Sequence, residues 1–204
     1  MGYNQFLNPM SREEYSKEPY LAMLQRKLEE EGRLMPFSRG VVRLCVTEKC
    51  NYECVFCHNE GMPGVSKFLE VEDIRTMLSA YKDWIKDIKL VGGEPLMHPQ
   101  FDKVVDLCNK ICKTSVTTNG VFIKKWFSSL MKLRSVTVSI QSLDNKRYGQ
   151  IMGTNTRLNS VLNGIGELLN AGMDVHINCV VTTKNRMELE GINEPLRAKA
   201  RSIS

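Results

Sequence analysis

With 204 residues, 42% apolar and 25% charged, the chain has the length for one domain with a sizeable core, and its composition is neither that of a disordered chain nor of a collagen-like repeat. The net charge of +5 is modest, and its lysines and arginines are scattered among acidic residues, so no nucleic-acid partner is expected and only a preference for an anionic small-molecule substrate survives. No apolar run nears the roughly 20 residues of a bilayer span, and the opening MGYNQFLNPMSREEY lacks a basic segment followed by an apolar one, so the expected location is cytoplasmic, with no membrane partner.

Residues 1–40 read as an N-terminal helical extension: over 20–32, Leu21, Leu24 and Leu28 share one face and Gly32 ends the helix. From Val41 onward short β-branched runs alternate with longer amphipathic segments, the signal of βα units. Strands are expected at 41–46, 85–91, 114–117, 135–140 and 174–181, each a short apolar run of the kind a buried parallel sheet contains. Between them, Val71, Ile74, Leu78, Tyr81 and Ile85, then Val104, Leu107, Cys108 and Ile111, then Val161, Ile165, Leu168 and Leu169 recur at helical spacing and should cover the outer face. After Val181 the pattern fails. Residues 183–204 are polar, hold Pro195, and are expected to add no strand, as an atypical or truncated tail. The core, 41–182, is thus α/β with about five parallel strands. Periodicity leaves open sheet and partial barrel both possible; in either, ligands bind in loops after the C-terminal ends of strands.

Seven cysteines, unevenly spaced, do not make a disulfide framework in such a chain. Cys50, Cys54 and Cys57 lie together in the loop after the first strand, whereas Cys45, Cys108, Cys112 and Cys179 stand inside apolar or helical patterns that ask for no ligand. Three thiolates suit an iron-sulfur cubane with one iron left for another ligand. A closed zinc site requires four ligands, and His58, directly after Cys57, is awkwardly placed as the fourth.

C-N-Y-E-C-V-F-C after a first strand resembles the signature of the radical S-adenosylmethionine (SAM) superfamily, and further stations match: Gly92-Gly93-Glu94-Pro95 after the second strand, Thr117-Thr118-Asn119-Gly120 after the third, and Ser139 in the fourth. The resemblance implies a partial TIM barrel and a 4Fe-4S cluster on Cys50, Cys54 and Cys57. It also implies reductive cleavage of SAM to a 5'-deoxyadenosyl radical, with electrons from a donor such as flavodoxin or ferredoxin. SAM contacts are implied at Phe56, Gly92, Gly93, Glu94, Ser139 and Asn178.

Within the superfamily, V-R-L-C-V-T-E-K-C-N-Y-E-C-V-F-C-H-N-E-G is similar to the GTP 3',8-cyclases of molybdenum-cofactor biosynthesis, over about 42–181. That similarity implies GTP as substrate, held by Arg43, Lys89, Thr117 and His176. Departures are Lys89 for an Arg, which loses a bidentate fork, His176 for a Lys, which weakens the positive charge, and Gln141 for an Asp. No cysteine follows Cys179 to hold a second cluster. The alternatives are a truncated cyclase, a tailoring enzyme for another nucleoside, sugar or peptide, and a noncatalytic cluster-binding sensor. Cys108 with Cys112, Trp84 and Trp126 are expected to pack, and His98 to be a loop histidine.

Overall fold

A computed structural model of the chain describes residues 40–57, 67–155 and 158–188, and the backbone of 202–203. The helix expected over 20–32, and His58, lie outside these residues. One sheet holds β1 (Gly40–Cys45), β2 (Ile85–Val91), β3 (Thr114–Thr118), β4 (Ser135–Ser139), β5 (Val175–Asn178) and β6 (Ser202–Ile203). All neighbours are parallel and follow chain order. A doubly wound sheet reverses its order at a switch point, whereas winding in one direction is the barrel pattern, so this order decides for a partial barrel. The two-residue β6, paired to His176 and Ile177, corrects the expectation that nothing after Val181 joins the sheet.

The crossovers are α1 (Val71–Tyr81), α2 (Phe101–Asn109), α3 (Phe127–Leu130), α4 (Asn145–Met152) and α5 (Leu158–Asn170). Their apolar stripes are the expected ones for α1, α2 and α5: Ile74 and Leu78, Val104 and Cys108, and Val161, Ile165 and Leu168 are all buried. The stripe of α1 stops at Tyr81, because a 3-10 turn over Lys82–Trp84 turns the chain into β2 and leaves Ile85 as a strand residue. Among the described residues no helix is long and apolar enough to cross a membrane.

The strands differ from the continuous apolar runs expected. Leu44, Ile88, Leu90, Val116, Val136, Val138, Val175 and Ile177 are buried beneath the helices. The intervening Arg43, Cys45, Lys89, Thr117, Thr137, Ser139, His176 and Asn178 are half-buried or exposed. Side chains alternate across a strand, so the sheet has one apolar face, where each buried aliphatic contributes about 1.5–3 kcal/mol, and one polar concave face. β5 is shorter than expected because Val180 N donates to Gln141 Oε1 at 2.6 Å and leaves the ladder.

Candidate active site

The loop after β1 is built onto the loop after β2. Gly93 N donates to Thr47 O and Glu94 N to Lys49 O, both at 2.8 Å. A Cβ on Gly92 would stand 2.3 Å from Thr47 O, and one on Gly93 2.4 Å from Lys49 O. The close approach of the cysteine loop's own backbone therefore demands the glycine pair.

Glu94 fastens a third loop to these two. Its carboxylate, 1% exposed, accepts from Leu96 N at 3.0 Å, Thr118 Oγ1 at 2.6 Å and Asn119 N at 2.7 Å. Burial raises its pKa to about 7 against the lowering pull of those three donors. Asn119 then donates through Nδ2 to Asn51 Oδ1 at 2.8 Å, beside Cys50. The carboxylate implied as a SAM contact is thus already hydrogen-bonded by the protein's own donors.

These loops enclose a cavity of about 420 Å³, within the usual size of small-molecule sites. Cys50, Tyr52, Cys54, Phe56 and Cys57 form one wall, and Val91, Gly92, Gly93 and Glu94 a second. Thr117, Thr118, Asn119, Ser139 and Met152 close the rest, with Arg43 and Cys45 below. Ten of the thirteen residues singled out in the sequence thus share one cavity: Arg43, Cys50, Cys54, Phe56, Cys57, Gly92, Gly93, Glu94, Thr117 and Ser139. Lys89, His176 and Asn178 are not in its lining. Lys89 is the register partner of Arg43, His176 that of Thr137, and Asn178 that of Ser139, so all three extend the same polar face.

The three thiols lie within electrostatic reach of one another. Burial, then the charge of Cys50 and Cys57, pushes the Cys54 thiol up to about 12; burial, with Glu94 and Cys57, also raises Cys50. Thiols so placed are costly to ionise alone and suit a cation that draws off the proton. Among the described residues no three Cys, His, Asp or Glu side chains converge on one metal point. The donor chemistry, three thiols from one loop facing one cavity, fits a three-thiolate cluster.

On the floor, Arg43 and Lys89 have no carboxylate partner among the described residues. Burial, then the charge of Arg43, lowers the Lys89 pKa. Thr117 Oγ1 is buried with no hydrogen-bond partner among the described residues. His176 Nε2 stands 3.3 Å from Asp174 Oδ2.

Comparison with known proteins places the chain in a family. The radical SAM superfamily profile matches residues 44–194. The chain belongs to the radical SAM superfamily. A probable GTP 3',8-cyclase of Pyrobaculum aerophilum is 34% identical over 158 residues, covering 74% of this chain and 49% of that protein. One from Methanosarcina mazei is 31% identical over 185 residues, covering 85% and 53%. The chain therefore spans about half the length of the curated relatives it matches. Among solved structures, Streptococcus suis SuiB bound to S-adenosylmethionine superposes with a TM-score of 0.67 at 23% identity, over 94% of this chain and 46% of that one. TYW1 with a lysine-pyruvate adduct gives 0.62 at 17%, over 86% and 69%. Both likenesses establish the radical SAM fold.

Other residues take structural roles. His98 Nδ1 accepts from Gln100 N at 3.1 Å, so Nε2 carries the proton and donates to Leu69 O at 2.9 Å; it is a buried loop residue, as expected. Trp126 packs on Phe101 and donates to Leu96 O at 2.8 Å. Cys108 is wholly buried in the core. Cys45 departs from expectation: it is exposed, faces the cavity, and its thiol donates to Thr47 O at 3.5 Å. The signal was its place two residues after Arg43, hence on the same strand face. Tyr52 was also missed, because it stands between the cysteines of the motif without being one of them, and Met152, because no motif covers it.

Proposed function

We propose that the chain is the catalytic core, over about 41–182, of a radical SAM enzyme that holds a 4Fe-4S cluster on Cys50, Cys54 and Cys57 and SAM in the adjoining cavity. The observation that carries this is the single cavity that joins the three thiols to the Gly92-Gly93, Thr117-Thr118-Asn119 and Ser139 walls. When bound, the reduced cluster supplies the one electron that splits the SAM sulfonium into methionine and a 5'-deoxyadenosyl radical.

The chain's own residues bind, orient and shield. Gly92 and Gly93 present bare backbone toward the methionine end of SAM, Ser139 and Asn178 supply a hydroxyl and an amide for its polar groups, and Phe56 gives the adenine a wall. Arg43 and Lys89 attract an anionic substrate, and the Thr117 hydroxyl, which has no partner among the described residues, accepts or donates one hydrogen bond to it. The likeness to probable GTP 3',8-cyclases supports GTP as that substrate. A one-electron donor such as flavodoxin or ferredoxin completes the reaction.

A second reading is a tailoring enzyme for another substrate, as the SuiB structure bound to its precursor peptide illustrates for that protein. It is favoured by His176, whose ring is engaged by Asp174 and so adds less positive charge to the floor than a free lysine would. The test is anaerobic reconstitution with iron and sulfide, then SAM and dithionite, with and without GTP. Release of 5'-deoxyadenosine with a cyclised nucleotide supports the first reading; release without any change in GTP supports the second.

A further inference from the structure

The cysteine loop is gripped on two sides, and only one of them carries the motifs already described. The other is the last turn of α4. Glu53 N donates to Gly153 O at 3.4 Å and Val55 N to Ile151 O at 3.0 Å. An ending helix leaves its last carbonyls without intrahelical donors, and here two of them meet the amides on either side of Cys54. Gly153 holds a left-handed φ of 58°, and a Cβ on it would lie 2.1 Å from Glu53 O, so the turn and the loop touch backbone to backbone. Met152, 1% exposed, sets its Sδ 3.9 Å from Cys54 Sγ while also lining the cavity.

The grip extends one turn back. Buried Tyr148 meets Tyr52 hydroxyl to hydroxyl at 3.3 Å, the rings edge to face. Tyr52 N in turn donates to Cys50 Sγ at 3.4 Å. α4 itself is fixed at its start by Asp144, which caps Arg147 N at 2.8 Å, and by Glu188, which pairs with Arg147 and accepts from Ser142 Oγ at 2.6 Å. Each thiol-bearing stretch around Cys50 and Cys54 therefore has a contact that leads back to this helix.

We propose that the last turn of α4 is a clamp on the cysteine loop, with Gly153 and Met152 as positioning residues that set Cys54 toward the cavity. The inference rests on reading Cys50, Cys54 and Cys57 as the cluster ligands, and it deepens that reading. Hydrogen bonds and packing around cluster sulfurs tune the potential, so the clamp bears on the electronic state of the site as well as its shape.

The experiment is site-resolved alkylation of the full apo chain with iodoacetamide, read by mass spectrometry. Cys54 is the probe and buried Cys108 the monitor of the fold. G153A and M152A are expected to speed alkylation of Cys54 by about tenfold with Cys108 still protected, since thiol reactivity follows access and thiolate content. M152L, which keeps the bulk, should retain the slow rate. After anaerobic loading with iron and sulfide, M152L should hold as much iron as the wild type but shift the electron paramagnetic resonance g-values of the reduced cluster. Unchanged Cys54 rates in G153A and M152A overturn the proposal. So does acceleration of Cys54 and Cys108 together, which would make the turn a general folding element. A wild-type chain that loads no cluster would sink the cluster reading by itself, while the alkylation result would still decide the clamp.

Discussion

The rim of the barrel and its floor treat polar side chains in opposite ways. On the rim, Glu94, Thr118, Asn119 and Asn51 satisfy one another, so three loops are fastened before any ligand arrives. On the floor, Arg43 and Lys89 stand side by side as like charges, and the Thr117 hydroxyl is buried without a partner among the described residues. Unmet polar groups inside a protein are costly, and like charges side by side repel. The difference separates polar groups already used to fasten loops together from polar groups the fold leaves open, and under the proposed function the latter are the ones that meet an anionic substrate.

The sharpest way to break this contrast is at the rim's thiols. C50A, C54A and C57A should each abolish SAM cleavage, whereas C108A leaves it largely intact; equal loss from all four, measured as 5'-deoxyadenosine release, would contradict the assignment. Next, G93A pushes a methyl into Lys49 O and should cost about 1–3 kcal/mol in urea unfolding, with a matching fall in iron bound per chain.

Glu94 gives a pH test of the rim. Its folded pKa of about 7 exceeds the ordinary 4.5, so the folded chain keeps a proton between those values that the unfolded chain releases. The stability it contributes is full below pH 4.5 and is lost as the pH rises to about 7. E94Q leaves one of three donors unpaired and should cost about 1–3 kcal/mol at pH 5. The gap to the wild type should narrow by pH 8, as urea unfolding at the two pH values will show. The smallest effect belongs to the floor: R43A should raise the KM for an anionic substrate by about tenfold or more, the worth of a charge-assisted hydrogen bond, with substrate-free SAM cleavage unchanged. A fall in that basal cleavage would make Arg43 part of the rim's scaffold.

The barrel core was legible because short β-branched runs alternate with segments of period 3.6, and motifs fell after successive strands; the period-2 alternation inside each strand reads in the sequence as a continuous apolar run. The three cysteines and the Gly92-Gly93 pair were readable for the same reason. What was not readable is contact between distant segments. Glu94 in isolation looks like a ligand group; only the fold shows Thr118 and Asn119 already bonded to it. α4 escaped notice because its sequence, NKRYGQIM, is polar with an internal glycine, although Asp144 before it, Gly153 after it, and Tyr148, Ile151 and Met152 at helical spacing were its signals. The two residues of β6 carry no periodicity of their own and gain strand form from pairing with β5.

The most direct test of the account is the iron and acid-labile sulfide content of the anaerobically reconstituted full chain, taken with the spectrum of the reduced protein before and after SAM is added. The account predicts about four irons per chain, a paramagnetic signal that SAM perturbs, and loss of both in C54A. A wild-type chain that binds no cluster with all three cysteines intact, or a cluster whose signal ignores SAM, would contradict it.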